Sequence, residues 1–399
     1  MIEAMKNRKN KIGIVIYANP DEYPPTVSAV NILSREFDII IICRNQNKTE
    51  VSYPDNVGLY RLGKLKTSRE KESQGRAIKV FEYAMFVLRA IFYLRFYGCK
   101  VIYSYDMHGF IAGFFASRLG KRIALVYHNH DLYELEGAKG SSRIVKRLEL
   151  RFARFADKIV FPDANRAKLF QEEAKLKILP DIAINAPQVI KRLPFNRLKE
   201  LLLSKGINED VKVVLYQGEI SESHAVLEVI KSMPVWLDNA ILLLAGRIRK
   251  DFYVEVSNLA ETLKLRKRVL IMPFISYSKI FSYTVGAYIG LAFYKAQDIN
   301  KVFNAGASNK IFEYLAMGVP TITNDSPYLR NLLESSYVYF AKPDYAEDIG
   351  RVIKVAFLDG EGYMRKRIAA RNAHLDRFNY EEQFGPVIEY IRGLIDRTN

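Results

Sequence analysis

Short, nearly uncharged stretches rich in β-branched residues recur along the chain, and each is followed by apolar residues at helical spacing. The first two stretches are Ile12–Tyr17 and Phe37–Cys43. Runs of this kind lack the polar alternation of a half-exposed strand and are typical of strands in a parallel sheet buried on both faces. The repeated strand–helix alternation therefore predicts an α/β protein whose sheet is covered by helices.

The alternation breaks between Pro180 and Pro194, where prolines punctuate an irregular segment, and it restarts at Val211–Tyr216. A chain of 399 residues is too long for one typical domain and suits two. We predict two doubly wound, Rossmann-like domains that face each other across a cleft, with residues 1–190 in the first and residues 191–379 in the second.

The balance of charge indicates an anionic partner. The chain has 60 Lys and Arg against 44 Asp and Glu, a formal net charge of +16. A phosphorylated ligand, an anionic lipid surface and nucleic acid are the classes of partner that suit this charge. The sequence shows no nucleic-acid recognition motif and no basic stripe interleaved with stacking aromatics, so we do not expect a nucleic-acid partner.

Two helical segments bear on membrane contact. Ile78–Tyr97 is the most apolar, but Arg89 lies near its centre, where a charge costs about 2.5–3.5 kcal/mol on insertion. We expect a helix packed on the sheet, with a helix lying in the plane of a membrane as the alternative. Ser142–Phe155 is a basic amphipathic helix, which suits a solvated face or contact with anionic headgroups.

The N-terminus and the cysteines indicate a compartment. Met1–Lys11 is polar and basic, and the short apolar run after it has no small-residue cleavage site, so we expect a first strand rather than a signal peptide. Cys43 and Cys99 show neither metal spacing nor a C-x-x-C motif. These features predict a reduced, cytoplasmic protein.

The stretch Asn304–Asp325 contains the clearest candidate for a ligand site. Ser308 and Asn309 are good N-cap residues, and Lys310 opens a helical pattern. A helix N-terminus with these residues is suited to an anion, because free backbone N–H groups and the positive end of the dipole point at it. Glu313 follows one turn later and could accept ligand hydroxyls. The alternative is an ordinary capped helix with a solvated Glu.

Polar residues also follow two predicted strands of the first domain. Asp106–Gly109 comes after Val101–Tyr105, and His128–Asp131 comes after Ile123–Tyr127. Ligands of open α/β sheets bind at the carboxyl ends of the strands. His108, His130 and Asp131 are therefore candidate site residues, with structural histidines as the alternative.

With Ser308–Pro320 (SNKIFEYLAMGVP) and Tyr127–Asp131 (YHNHD) in two Rossmann-like halves, the chain resembles GT-B glycosyltransferases of family 4, also called group 1. The resemblance implies two domains that close on a nucleotide-diphospho-sugar, and transfer that retains anomeric configuration without a metal or other cofactor. It also implies that the last helix, within residues 380–399, packs back on the first, acceptor-binding domain. Residues 191–379 would then bind the donor.

The resemblance implies roles for individual residues. Glu313 resembles the second Glu of the family's Glu-x7-Glu pair, which holds the nucleotide ribose, and His130 resembles the His that faces the donor sugar. Both are thus expected at the reacting centre. His108 and Asp131 are expected on the acceptor side. The remaining donor-binding residues implied are Gly218, Arg247, Ser308, Asn309 and Lys310.

This chain departs from the family pattern where the family clamps the diphosphate. The first Glu of the pair falls at Ala305, the Arg after the first strand of the second domain is replaced by Glu219, and a phosphate-binding Lys falls near His224. We expect Glu219 to be solvated and His224 to be an exposed loop residue. Lys310, Arg247 or Arg249 would have to replace the clamp, because the leaving diphosphate needs cationic stabilisation.

The sequence thus predicts a retaining, metal-independent hexosyltransferase of bacterial surface polysaccharide synthesis. Its acceptor is expected to be a glycan or a lipid-linked glycan, and the protein is expected in the cytoplasm or peripherally on the inner membrane, facing an anionic surface. Two alternatives stay open. One is a non-catalytic GT-B partner of an active transferase, because of the replaced clamp residues, and the other is a sugar-nucleotide epimerase of the same fold.

Overall fold

The computed structural model describes residues 10–47, 51–67, 70, 73–208 and 210–397. The polar start predicted at Met1–Lys11 lies outside the described residues as far as Lys9. The chain divides into two compact units, one of residues 1–184 and 383–399 and the other of residues 185–382. No helix among the described residues is both long enough and apolar enough to cross a membrane.

Among its described residues, the first unit holds a seven-stranded, all-parallel sheet in the order β3-β2-β1-β4-β5-β6-β7. The elements are β1 (Lys11–Ile16), α1 (Pro24–Leu33), β2 (Asp38–Gln46), β3 (Val57–Lys66), α2 (Arg76–Phe96), β4 (Val101–Tyr105), α3 (Asp106–Arg118), β5 (Ala124–His128), α4 (Gly140–Phe152), β6 (Lys158–Phe161), α5 (Ala164–Ala174) and β7 (Asp181–Ile182).

The centre of this sheet is the core of the first unit. Every residue of β1 and β4 is buried, as expected for runs that meet helices on both faces. The crossovers from β3 to β4, β4 to β5 and β5 to β6 all advance in the same direction along the sheet. Because parallel crossovers are right-handed, α2, α3 and α4 lie on one face of the sheet, and the packing of α2 on α3 and of α3 on α4 agrees.

Among its described residues, the second unit holds a six-stranded parallel sheet in the order β10-β9-β8-β11-β12-β13. The elements are α6 (Arg197–Ser204), β8 (Lys212–Ile220), α7 (Val226–Ser232), β9 (Ala240–Ile248), α8 (Lys250–Thr262), β10 (Val269–Met272), α9 (Tyr277–Thr284), β11 (Ile289–Ala292), α10 (Ile299–Val302), α11 (Asn309–Ala316), β12 (Thr321–Asn324), α12 (Pro327–Leu332), β13 (Val338–Ala341), α13 (Ala346–Leu358) and α14 (Glu361–Asp376).

Strand β8 continues to Ile220, past the predicted stretch Val211–Tyr216, and β9 continues beside it to Ile248. Gly218 on β8 pairs with Gly246 on β9, and Glu219 pairs with Arg247. A Cβ at Gly246 would lie 1.6 Å from the carbonyl oxygen of Gly218, whose φ is +107°. The pair of glycines therefore lets the two strands continue side by side past the point where the β-branched pattern ends.

The last helix, α15 (Tyr380–Asp396), belongs to the first unit from Gln383 onward. There Tyr390 donates a hydrogen bond to the Asp157 carbonyl (2.8 Å), and Arg392 makes a two-pronged ion pair with Glu36. These contacts attach the C-terminal helix to the first unit.

Candidate functional site

Helix α11 in the second unit is fixed on the sheet by its buried face. Tyr314 is fully buried, accepts a hydrogen bond from the Gln217 backbone N–H (3.1 Å), and has its hydroxyl within donating distance of the Leu215 carbonyl on β8 and the Leu291 carbonyl on β11. Its ring lies against Gly290, where a Cβ would come within 2.4 Å of it. The helix start is therefore held rigidly at the carboxyl ends of the central strands.

The N-cap position of α11 differs from an ordinary cap. Ser308 occupies it, but the side chain makes no capping bond and instead hydrogen-bonds the Tyr294 hydroxyl (2.5 Å). The next side chain, Asn309, has a buried amide oxygen with no partner among the described residues. Because neither predicted cap residue satisfies the first turn with its side chain, the positive end of the helix dipole stays available to a ligand.

Lys310 is buried with its charge against aromatic rings. Its ammonium donates to the Tyr216 hydroxyl (2.6 Å) and lies over the rings of Tyr216 and Tyr294, 4.4 and 4.9 Å from their centroids. Burial, reinforced by the nearby Lys301, lowers the pKa of Lys310 to about 7. Among the described residues neither ammonium group takes part in an ion pair, so an anion would find both unneutralised.

His224 is buried, 3% exposed, and the expectation of an exposed loop histidine is wrong. The reason is packing, because its ring lies between Tyr216 and Tyr294. Lys301 donates to Nε2 (3.3 Å), which leaves Nδ1 to donate to Ser221 Oγ (2.8 Å), and burial drives the pKa of this imidazole well below its usual range. We call this group the basic–aromatic cluster, which comprises Tyr216, His224, Tyr294, Lys301, Ser308 and Lys310.

Glu313 lies one turn into α11 and is not solvated, so the alternative of an exposed Glu is wrong. It is 8% exposed, and its carboxylate accepts a hydrogen bond from Gln217 Nε2 (2.5 Å). The Gln217 side-chain oxygen in turn accepts from Thr284 Oγ1 (2.7 Å), which fixes the orientation of the amide. Burial raises the pKa of Glu313 to about 7. A buried carboxyl with one hydrogen-bond donor retains unused acceptor capacity.

The other predicted donor-binding residues are placed differently. Gly218 lies beside the cluster, since a Cβ there would be 3.8 Å from Lys310 Cε. Arg247 is exposed and stacks over the Phe274 ring at 4.5 Å. Ala305 is buried, and Glu219 is exposed, as predicted. Arg249, considered as a replacement cation, is exposed and paired with Asp251.

In the first unit, the His130 ring is fixed by two stacked aromatic rings and a hydrogen bond. Its ring is stacked between Tyr23 and Tyr105, at centroid distances of 5.2 and 4.8 Å, and Nε2 hydrogen-bonds Thr26 Oγ1 (2.9 Å). Burial lowers the pKa of His130 to about 3, so the imidazole is neutral. Thr26 lies in the first turn of α1, and its contact with His130 was not predicted.

Asp106 supports His130, and we did not predict this role. Its carboxylate accepts the His130 backbone N–H (2.7 Å), and its backbone φ of +54° is uncommon for a residue other than glycine. Burial, followed by the charge of Asp131, raises the pKa of Asp106 to about 7. The available signal was its position directly after the buried strand Val101–Tyr105, where α3 begins.

The remaining candidates of the first unit have other partners. The side chain of Asp131 is half exposed and lies 3.7 Å from Arg166. His108 stacks on Tyr17 and meets the edge of Tyr83. His128 is fully buried and bonds the Tyr103 hydroxyl (2.7 Å), as a structural histidine does. Among the described residues, no group of three or more His, Cys, Asp or Glu side chains is arranged to hold a metal ion.

The chain is similar to known proteins in the sequence of its second unit and in its fold. Residues 199–373, within the second unit, match the family model described as glycosyl transferases group 1. A search of curated proteins finds no match. Among solved structures, the chain is similar to Anabaena HepE in complex with UDP and glucose, with a TM-score of 0.72 at 15% identity, covering 96% of this chain and 100% of that chain.

Two other solved structures have the same architecture. Sucrose-phosphate synthase from Thermosynechococcus elongatus has a TM-score of 0.75 at 14% identity, with 98% of this chain and 100% of that chain covered. A putative UDP-N-acetylglucosamine 2-epimerase from Listeria monocytogenes has a TM-score of 0.61 at 12% identity, with 98% of each chain covered. The chain therefore has the GT-B fold, and its second unit carries the sequence pattern of the glycosyl transferases group 1.

Proposed function

We propose that the protein is a retaining, metal-independent glycosyltransferase that transfers a sugar from a nucleotide-diphospho-sugar to a glycan or lipid-linked acceptor. The observation that carries the proposal is the start of α11, where a buried carboxyl and the basic–aromatic cluster lie one helical turn apart. The similarity to HepE, solved with UDP and with UDP-glucose, favours a uridine diphosphate donor. We place the reaction in the cytoplasm, in the synthesis of bacterial surface polysaccharide.

Glu313 suits the ribose of the donor. When ionised, its carboxylate accepts several hydrogen bonds, and Gln217 uses one of these positions. The two ribose hydroxyls would donate hydrogen bonds to the remaining acceptor positions of the carboxylate, which is buried from water. The Gln217–Thr284 hydrogen bond keeps the carboxylate aimed in one direction, which lowers the ordering cost of binding.

The diphosphate suits the basic–aromatic cluster. Lys310 and Lys301 would supply the positive charge that the missing clamp residues do not, with Ser308 and Asn309 at the helix N-terminus adding hydrogen bonds and the helix dipole. His224 occupies the position where the resemblance places a phosphate-binding Lys. The positive charge there would come instead from Lys301, whose ammonium donates a hydrogen bond to His224 Nε2. We place Gly218 and Arg247 beside the donor as further binding residues.

In the proposed reaction, the bond from the anomeric carbon to the leaving phosphate oxygen breaks, and a bond to the acceptor oxygen forms on the same face. The acceptor hydroxyl gives its proton to the departing phosphate oxygen, so no separate base is required. The cluster stabilises the negative charge that develops on the leaving group. The neutral His130, fixed by Thr26 and Asp106, would orient the donor sugar, and we assign His108 and Asp131 to the acceptor side.

Calorimetric titration with UDP, GDP and their sugars tests the proposal. We expect a uridine or guanosine diphosphate to bind, and Glu313→Ala to weaken the binding about 10–100-fold, because one or more charge-assisted hydrogen bonds are lost. Glu255→Ala is the matched control, since its exposed carboxylate on α8 lies outside the cluster and its loss should leave the affinity unchanged. Absence of binding by every nucleotide at millimolar concentration would refute the enzyme and favour the non-catalytic partner.

Binding of a donor does not distinguish a glycosyltransferase from a sugar-nucleotide epimerase. A transferase releases nucleoside diphosphate only when an acceptor or water takes the sugar, whereas an epimerase would convert UDP-N-acetylglucosamine to an isomer. Nuclear magnetic resonance of the sugar after incubation separates these outcomes. Formation of an epimer would replace the transferase proposal with the chemistry of the Listeria protein's description.

A further inference from the structure

Helix α2 has an apolar row on its solvent side. Phe81, Leu88, Phe92 and Phe96 are 66%, 60%, 62% and 52% exposed, and they recur every one or two turns on one face. The opposite face, with Phe86, Ala90 and Leu94, is the one buried in the unit. A helix that packs on a sheet by one face normally has polar residues on the other, so this second apolar face is unusual.

The neighbouring helices extend the exposed apolar surface. Since α2, α3 and α4 lie side by side on one face of the sheet, their outward residues form one surface of the first unit, which we call the outer layer. Phe115, at the end of α3, and Leu119 are 38% and 54% exposed, and Ile144 and Phe155, on and after α4, are 61% and 40% exposed. Apolar side chains thus occur across the layer.

The exposed charge on the three helices of the outer layer has one sign. None of the acidic side chains on its three helices is exposed: Glu82 is tied to Arg44 and Lys66, Glu149 is buried against Lys146, and Asp106 faces the His130 loop. The exposed basic residues on these helices are Arg76, Arg89, Arg118, Arg143, Arg147 and Arg151, and Arg154 follows α4, whereas the exposed acidic residues Glu134 and Glu136 lie in the loop before α4.

We propose that the outer layer docks on an anionic lipid bilayer, with the apolar rows in the headgroup–acyl boundary and the basic side chains at the headgroups. Charge decides the occupant, because a second copy of this face would bring like charges together, whereas anionic headgroups complement it. Arg118 and Arg154 lie 5.7 and 4.9 Å from the Phe155 ring centroid, so charge and apolar surface are adjacent at one point. The proposal is independent of donor binding.

Vesicle co-sedimentation in the absence of nucleotide tests this docking. We expect the protein to bind vesicles containing about 30% phosphatidylglycerol, to bind neutral phosphatidylcholine vesicles far less, and to be released by salt. The double variant Leu88→Gln, Phe92→Gln should lower the vesicle partition coefficient at least about tenfold. Arg143→Gln with Arg147→Gln should lower it mainly on anionic vesicles.

The matched control is Val355→Gln with Leu358→Gln, two exposed apolar residues on α13 of the second unit, which should leave vesicle binding unchanged. Both apolar variants should keep the wild-type melting temperature, because the replaced side chains are exposed. No binding to anionic vesicles, or equal binding by the Leu88 and Phe92 variant, would overturn the proposal. A wild-type dimer that this variant dissociates in light scattering would assign the face to a second copy.

Discussion

Replacing Glu313 with Gln should stabilise the second unit at about pH 8 while it weakens donor binding. The free carboxyl is buried, and its pKa rises from 4.5 to about 7 on folding. Gln has the same shape and keeps an oxygen that can accept from Gln217, but it carries no charge to bury. The substitution therefore removes a cost that the folded, unliganded protein bears at neutral and alkaline pH.

The size of the effect follows from linkage. The folded state binds the proton of Glu313 more tightly than the unfolded state, so stability falls as pH rises from 4.5 to about 7 and is level above that. At about 1.4 kcal/mol per pH unit, the ionised group costs about 3 kcal/mol at about pH 8 and about 1 kcal/mol at about pH 5. Lys310, with its pKa of about 7, is mostly uncharged at about pH 8, so removing the Glu313 carboxylate costs little attraction between the two side chains.

Trp236 makes the measurement specific to the second unit. It is the one Trp of the chain, is 4% exposed, and lies in the hydrophobic core beneath the second sheet. Urea unfolding followed by its fluorescence should give a higher midpoint for Glu313→Gln at about pH 8 with an unchanged slope, so that the gain is one of stability and not of compactness. At about pH 5 most of the gain should disappear.

Glu219→Gln is the control, because it makes the same chemical change at an exposed position nearby on β8. Its free energy of unfolding should stay within about 0.5 kcal/mol of the wild type. Equal stability of Glu313→Gln and wild type at about pH 8 would contradict the assigned burial of charge. A gain of the same size at both pH values would assign the stabilisation to packing instead.

Two further predictions concern the same unit. Lys310→Met should weaken UDP binding about 10–100-fold, because a charge-assisted contact is lost. At about pH 8 the Lys310 amine is mostly neutral and UDP raises its pKa, so the variant should also abolish the proton uptake that accompanies binding. Calorimetry in buffers of different ionisation enthalpy measures both effects, and Lys267→Met, at an exposed position, should change neither. Gly246→Ala should separate or unfold the ends of β8 and β9, since its Cβ has no room beside the Gly218 carbonyl, and a melting temperature near that of the wild type would disprove the close approach.

Local patterns predicted most elements of the fold because burial on both faces leaves a clear signal in each strand. The predicted strands Ile12–Tyr17 and Phe37–Cys43 are observed as β1 and β2, and the parallel two-sheet architecture follows from the alternation. Helix α14 was missed because its buried residues, Tyr363, Ala370 and His374, form a narrow row of unlike side chains that apolar periodicity does not reveal. The strand ends at Gly218 and Gly246 were missed because glycine usually signals a turn.

The candidate site was predictable only where it is local. Lys310 and Glu313 share one helix start, so sequence spacing alone brought them together. Tyr216, Tyr294 and Lys301 reach the same site from other elements, and no spacing rule connects positions up to 94 residues apart. His224 is buried because its ring packs against Tyr216 and Tyr294. Its position in a loop predicted exposure because neither contact is visible in the local sequence.

The two charged groups of α11 are informative because each is poorly served by the unliganded protein. Burial raises the pKa of Glu313 and, together with the charge of Lys301, lowers that of Lys310, each to about 7, so neither is held in its charged form by a strong ion pair. A helix start that served only structure would be more stable with Met and Gln at these positions. A diphosphate and a pair of ribose hydroxyls supply the partners that both groups lack. The unfavourable burial of both groups is thus a reason to assign the helix start to a ligand that carries a diphosphate and a ribose.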